Sequence, residues 1–428
     1  MGKRLIAAIL LVVLADTSLA AVPALVIVRN PRPGTAASLL AADVMVVDNA
    51  DRRLLVVARP GDTEILQSLG LRWSILDPDV TGKTYYTTSI RNGSDRSAVT
   101  SLVRVLGWEG VDAVFEATPA EAARLAGEGF DIARVFLRPV RVAPPTRPLP
   151  HRTATLGPDP MIQAMVDSVS GPRIDATVQR LQDFVTRFAA HDSCLSAANY
   201  IRSQFQSFGI DSVYFHDWST IYYDNVVAVM PGVGNPQKIF IIGGHYDSIT
   251  GDHNNCPGAD DNASGTTCIL ECARILSNYE FDYTLTFIAF CGEEVGLLGS
   301  EAYVSEAEAR GDDIIAMINV DMIGYVNGGD VMDLDIIDNF SSEWLRDRVM
   351  NVGALYVPGL ALVDGSLPGT ASSDHVPFWN HGYDAIMFYE DSGDRSPFIH
   401  TTSDVVGTSY NTPQLAEQSV KVAVALVA

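Results

Sequence analysis

Short apolar runs alternate with polar, helix-periodic stretches along the first 140 residues, and one order of elements occurs twice. Leu54-Leu55-Val56-Val57-Ala58, then Pro60 and a helical pattern to Leu69-Gly70, then Leu71 to Leu76 match Ala113-Val114-Phe115-Glu116-Ala117, then Pro119 and a helical pattern to Gly129, then Phe130 to Leu137. Each copy predicts strand, helix, strand, with Asp62 or Glu121 in the first helical turn, where a carboxylate suits the helix dipole. Two such units predict a small α+β domain over residues 21–140. It contains no His, no Cys and no acidic cluster, so no catalysis is assigned to it. Two roles are open: a prosegment, as folding aid or cover for an active-site cleft, or a plain accessory domain. Residues 141–160 carry six prolines and little apolar periodicity, which predicts an extended linker open to proteolysis.

From Met161 the pattern changes to long helices alternating with apolar strands. Helices are predicted over Ile174 to Phe188, Ala197 to Phe208, Ala263 to Tyr279, Val295 to Ala309 and from Thr412 onward. Strands are predicted over Asn225 to Met230, Lys238 to Ile242, Tyr283 to Phe290, Ile314 to Val320, Val331 to Ile336 and Ala385 to Tyr389. Runs such as Ile239 to Ile242 have no polar break, as a strand buried on both faces requires, and Gly243-Gly244 ends that one. The alternation predicts an α/β domain over residues 161–428, with a mostly parallel or mixed central sheet covered by helices.

Length and charge sharpen this division. A chain of 428 residues exceeds one small core. Residues 21–150 are nearly neutral, with 15 Lys and Arg against 14 Asp and Glu, whereas residues 151–428 hold 12 against 37. So acidic a second half repels phosphate backbones and argues against nucleic acid as a partner. Lys3 and Arg4 precede the apolar run Leu5 to Leu14, and Ser18-Leu19-Ala20 supplies small residues for cleavage. Residues 1–20 therefore read as a secretory signal peptide, with an uncleaved anchor as the alternative, and a secreted or periplasmic protein free of the membrane is expected. Five cysteines (Cys194, Cys256, Cys268, Cys272, Cys291) are an odd number, and Cys268 and Cys272, one helical turn apart, read as small buried residues rather than a metal pair.

Candidate chemistry lies just past the apolar strands. His245 and Asp247 follow the first, Pro257 to Asn262 a polar loop later, Cys291-Gly292-Glu293-Glu294 the next, and Asp321 the one after. Glu390-Asp391 and His400 follow the last strand, and Ser373-Asp374-His375 precedes it. Neighbouring parallel strands deliver their ends to one rim, so His245, Asp261, Glu294, Asp321 and His400 could converge. Two imidazoles and three carboxylates match the ligand preferences of zinc, with one carboxylate able to bridge two ions. Taken singly, each has a dull reading: a core histidine, a turn aspartate, a solvated glutamate pair.

The strings GGHYDS, PGADDNASG, CGEEVGLLGSEAY, NVDMIG, SSDHVPFWNHGY and FIHTTSDV together resemble the co-catalytic zinc aminopeptidases of the bacterial leucyl aminopeptidase type, in the clan that also holds glutamate carboxypeptidase and glutaminyl cyclase. The resemblance covers about Met161 to the C-terminus. It implies a domain holding two zinc ions and acting on the N-termini of peptides or proteins. By matching motifs, His245 and Asp321 would bind one zinc, Glu294 and His400 the other, and Asp261 would bridge both, often preceding a cis peptide. Asp247 would stand behind His245, and Glu293 would be the general base acting on a zinc-bridging hydroxide. Ser373, Asp374 and His375 would be supporting or pocket-shaping residues. Family members commonly place an oxyanion-binding tyrosine where this chain has Thr370. His253 and His381 match no ligand position.

A related zinc carboxypeptidase or glutaminyl cyclase, and a binding module that has lost catalysis, are the competing readings. No Gly-x-Ser-x-Gly occurs to favour a serine hydrolase. Side-chain preference and oligomeric state have no sequence signal.

Overall fold

Each N-terminal repeat is twice the length of its sequence signature. The computed structural model describes residues 22–32, 34–50, 53–90, 93–142, 157–365 and 373–428; the expected signal peptide, most of the linker and Thr370 lie outside the described residues. The chain divides into two units, Met1–Gly82 and Lys83–Ala428.

In the first unit, β1 (Ala24–Arg29), α1 (Thr35–Ala41), β2 (Met45–Ala50), β3 (Arg53–Ala58), α2 (Asp62–Ser68) and β4 (Arg72–Asp77) build a four-stranded antiparallel sheet in the order β2-β3-β1-β4. The second unit opens with the same arrangement: β5 (Tyr85–Ser89), α3 (Gly93–Leu102), β6 (Arg104–Glu109), β7 (Asp112–Glu116), α4 (Pro119–Gly127) and β8 (Ile132–Val135), ordered β6-β7-β5-β8. Both are split βαβ, ferredoxin-like units. The predicted strand, helix, strand is the second half of each. In the second copy the first half is hidden by composition: α3 is rich in Ser, Thr and charge, and β6 is an edge strand only half buried. Helix α4 starts on a capping box, Thr118 Oγ1 accepting from the Glu121 amide while Glu121 accepts from the Thr118 amide.

The larger part of the second unit is an eight-stranded mixed sheet. Its strands are β9 (Ser212–His216), β10 (Asn225–Met230), β11 (Asn235–His245), β12 (Tyr283–Phe290), β13 (Asp313–Val320), β14 (Asp333–Ile337), β15 (Ala361–Gly365) and β16 (Ala385–Tyr389), in the order β15-β14-β16-β13-β11-β12-β10-β9. The four central strands β16, β13, β11 and β12 are mutually parallel; β10 and β9 continue antiparallel at one side, and β14 joins antiparallel at the other.

Pleating explains the unbroken apolar runs. Ile242, Phe287, Ile318 and Ile386 point into a core under α5 (Pro160–Asp167), α6 (Gly171–Gln182), α7 (Asp192–Ser207), α8 (Gly265–Leu276), α10 (Glu343–Tyr356) and α12 (Pro413–Val427). Their neighbours Ile241, Ile288, Met317 and Ala385 face a second core under α9 (Leu298–Arg310) and α11 (His375–Asn380). With both faces covered there is no position for a polar residue to alternate into. All five cysteines are buried and unbridged, Cys194 and Cys291 facing each other at 3.7 Å between sulfurs. No helix among the described residues is long and apolar enough to cross a membrane.

Several predicted elements shift. The helix expected over Ile174 to Phe188 ends at Gln182, and Val185 takes a left-handed conformation that turns Arg187 into the interior. The one expected from Ala263 begins instead with an irregular segment, Ala259–Ser264, before α8. Likewise α9 starts at Leu298 because Gly296 and Leu297 have positive φ. The periodicity predicts no element at α5, β9, α10, α11 or β15.

Candidate metal centre

The parallel register brings four chain segments to one rim. His245 pairs with Phe290 across β11 and β12, Gly243 with Asn319 across β11 and β13, and Val320 with Phe388 across β13 and β16. Glu293-Glu294, Asp321 and Glu390 therefore leave their strands at the level of His245. Close approach of the Asp261 segment depends on two glycines: a Cβ on Gly244 or Gly265 would lie 2.4 or 2.2 Å from the Val320 carbonyl oxygen. Asn262 occupies the space so kept, donating from Nδ2 to that carbonyl (2.9 Å) while its Oδ1 accepts from the amides of Gly265 (2.8 Å) and Met322 (3.3 Å). The peptide joining Asp261 to Asn262 is cis.

Asp261 lies between two histidines. Its Oδ1 is 3.3 Å from His245 Nε2 and its Oδ2 is 3.2 Å from His400 Nε2. Asp321 Oδ1 stands 3.3 Å from His245 Nε2, and Glu294 Oε2 stands 2.9 Å from His400 Nε2. Two donor triads result, His245 with Asp261 and Asp321, and Asp261 with Glu294 and His400, the donor atoms of each triad lying within 4.8 Å of one another. Glu293 lies alongside, with His245 and Glu294 completing a third such group.

Electrostatics shows what this cluster lacks. Burial alone would lower the pKa of His245, but the charges of Glu293 and Asp321 and the contacts to Asp247 and Asp261 hold it well above its ordinary value. For His400, burial is outweighed in the same way by Glu294 and Asp261. Burial would raise Asp261, yet hydrogen bonds from both histidines keep it below the usual carboxylate range. Burial and then the charge of Asp261 push Glu294 up to about 8. Glu293 is raised well above a normal glutamate, chiefly by burial. Buried carboxylates at this density call for positive charge, and protonated imidazoles supply part of it. Glu294 Oε1 is buried with no hydrogen-bond partner, and the hard-and-borderline N/O donor set suits zinc. The residues present therefore fit zinc.

Asp247 sits behind His245, its backbone oxygen 3.1 Å from Nδ1, a contact that fixes the ring's tautomer and leaves Nε2 facing the cluster. Its carboxylate accepts from the amides of Glu293 and Glu294, both at 3.4 Å, so one residue orients the imidazole through its backbone and the glutamate turn through its side chain. Ser373 accepts from Asn319 Nδ2 at 2.8 Å beneath the rim. Asp374 is buried within electrostatic reach of Glu293, and burial pushes its own pKa up to about 7. His375 packs edge-on against Trp379 at 4.4 Å, its pKa driven down to about 3 by burial. None of these three lines the cavity in front of the cluster. His253 stacks on Phe188, and His381 lies between Glu301 and Glu308, both away from the donor groups.

Asp404 and Arg187, which the sequence does not single out, and Glu390, which follows the last predicted strand, hold the site. Asp404 accepts the amides of Asp260 (2.9 Å) and Asp261 (3.1 Å), positioning the shared carboxylate from behind; the only signal was its place in the FIHTTSDV string. Arg187, fully buried, donates to the carbonyls of Tyr246 (2.7 Å), Pro257 (2.6 Å) and Gly258 (2.7 Å), tying the ends of the His245 and Asp261 loops together. Glu390 accepts from Tyr325 and Ser396 amides on the same rim. No local pattern marks Arg187, because three of its carbonyl partners lie 59 to 71 residues away and the fourth, Leu181 at 3.1 Å, is simply the last turn of α6.

A cavity opens in front of the donors. Met322, Met387, Tyr389 and Ile399 give it an apolar wall, Arg395 lies beside them, and Asp131 and Ile132, at the start of β8, also line it.

Comparison with known proteins agrees with this geometry. Residues 225–424 match the model of peptidase family M28. A probable leucine aminopeptidase of Arthroderma otae is 30% identical over 260 residues, 57% of this chain and 70% of the relative. Among solved structures, the LapA aminopeptidase of Legionella pneumophila superposes with a TM-score of 0.66 at 20% identity, over 81% of this chain and 97% of that one. LapB of the same organism superposes at 0.60 and 21% identity, over 95% and 98%. Those two likenesses are of fold. Architecture and donor chemistry thus define the class, a metallo-exopeptidase of the aminopeptidase type. The chain belongs to peptidase family M28.

Proposed function

We propose that this chain is an exported aminopeptidase that removes N-terminal residues from peptides with two zinc ions. The observation that carries the reading is the position of Asp261, one carboxylate with an oxygen facing each of two donor groups. His245 and Asp321 would hold one ion, Glu294 and His400 the other, with Asp261 between them. When bound, the pair supplies Lewis acidity for the scissile carbonyl and for water near neutral pH.

The protein's part is proton management. Glu293 lines the cavity and is not needed in either Asp261 triad, so its carboxylate is free to take a proton from the attacking water. Burial and neighbouring carboxylates raise its affinity for that proton, so it can hold it and pass it to the leaving amine. Asp247, bonded to the Glu293 amide, keeps the carboxylate at that place. The apolar wall of Met322, Met387 and Ile399 excludes water and receives substrate side chains.

The second N-terminal repeat is proposed as a removable cover. Its β8 brings Asp131 and Ile132 into the cavity lining, and Ile249, from the loop after Asp247, is buried in that repeat's own core with Phe115, Leu125 and Phe130.

Metal analysis and kinetics of Glu293→Gln test the reading. Two zinc ions per chain, retained in the variant, with kcat lower by about 100- to 10,000-fold are expected. Full activity in the variant would remove Glu293 from the mechanism, and a chain that binds no metal would remove the enzyme.

A further inference from the structure

The geometry points to Arg395 as a specificity residue: its guanidinium is placed to take an acidic side chain of the substrate, and in the uncut chain Asp131 occupies that side chain's place. This deepens, and rests on, the peptidase and cover proposed above.

Among the cavity-lining residues described, Arg395 is the one Lys or Arg. Its side chain is only 18% exposed. One contact comes from its own domain: Nη1 donates to the Tyr389 hydroxyl at 3.3 Å, and that hydroxyl in turn points its hydrogen at Met322 Sδ, 3.7 Å away. The guanidinium is therefore aimed by the wall of the cavity itself. The other contact is the carboxylate of Asp131, 2.7 Å from Nη1, and it belongs to the cover.

Removing the cover takes away the carboxylate and leaves the cation. Arginine cannot relieve this by losing a proton, and a largely buried charge without a partner is strongly unfavourable. A carboxylate entering on a peptide restores a charge-assisted contact, with a fork geometry arginine suits. Asp131 and Ile132 enter side by side, an acidic residue with an aliphatic neighbour, as a bound peptide would present them.

The test uses the zinc-loaded full chain cut within residues 143–156. Hydrolysis of Glu and Gln anilides reads the first substrate position, and Leu-Glu-amide against Leu-Gln-amide reads the second. The acidic member is expected to be preferred in kcat/KM by about 10- to 100-fold at one of the two positions, with the ratio falling to near one in Arg395→Met. Calorimetry gives an independent readout: free glutamate binds the cut chain more tightly than glutamine, and the difference disappears in the variant. Should the protein hydrolyse no peptide, the peptidase reading fails, while glutamate against glutamine binding still decides the role of Arg395. If Arg395→Met does not fold, Asp131→Asn in the uncut chain serves instead and is expected to strengthen glutamate binding about tenfold. Equal handling of Glu and Gln at both positions, or a ratio unchanged by Arg395→Met, overturns the proposal.

Discussion

Asp404 holds Asp261 by its backbone: the Asp404 carboxylate accepts the Asp261 amide at 3.1 Å, on the far side from the two histidines. The same carboxylate takes the Asp260 amide through its other oxygen. Asp404→Asn keeps the shape but leaves one oxygen to serve two amides. We expect zinc affinity to fall by about 10- to 100-fold, measured by competition with a chelator, with little change in unfolding of the metal-free protein. Undiminished affinity would mean that Asp261 is held by its other contacts alone.

Arg187 gives a prediction about stability. Its guanidinium satisfies three buried carbonyls at the ends of two site loops. Arg187→Met fills similar volume but orphans them, at about 1–3 kcal/mol for each unsatisfied group. We expect the urea midpoint to drop by an amount equivalent to at least about 3 kcal/mol, and zinc affinity to fall with it. A loss under about 1 kcal/mol would show that water replaces the side chain readily.

Metal removal should matter more as pH rises. In the absence of metal, burial raises Asp374 and Asp404 to about 7 and Glu294 and Glu390 to about 8, and neighbouring carboxylates hold His245 and His400 well above their ordinary value. A folded state with raised pKa values binds more protons than the unfolded chain between the two values, so its stability declines as pH rises through the folded ones. Metal needs the deprotonated donors and offsets this loss. Thermal unfolding of chelator-treated and zinc-loaded protein should therefore differ more at pH 8.5 than at pH 6. An equal difference at both values would contradict the charge assignment.

Ile249 is the peptidase loop's anchor in the second repeat. It is 2% exposed within that repeat's core, and Gly127 packs so closely on the same loop that a Cβ there would lie 2.9 Å from the Thr250 carbonyl oxygen. Ile249→Ser weakens the cover's seat without touching a donor residue. Aminopeptidase activity of the uncut chain should rise several-fold toward that of the cut chain, and the two proteins should be alike after cutting. No rise in the uncut variant would favour an accessory role for the repeat.

Helix starts and stops in this chain are set by tertiary contacts that local periodicity does not carry. Periodicity carried the expected α6 through to Phe188, but burial of Arg187 against distant carbonyls required the turn at Val185. Similarly, Ala259–Ser264 gives up regular helix so that Asp261 faces two histidines, a demand set by residues 16 positions before and 139 after it.

Sequence alone determined the parts that depend on neighbours in the chain. Unbroken apolar runs require strands covered on both faces, and five of the six strings that carry the family resemblance contain the donor residues that meet in the cluster. The repeat was legible only in its apolar half. Tertiary structure decided the rest: that Asp261 faces both histidines, that Asp404 and Arg187 hold it there, and that Asp131 reaches Arg395 across 264 positions. Those contacts join side chains to backbone atoms or single charges far along the chain, and such pairings leave no periodicity for a sequence to display.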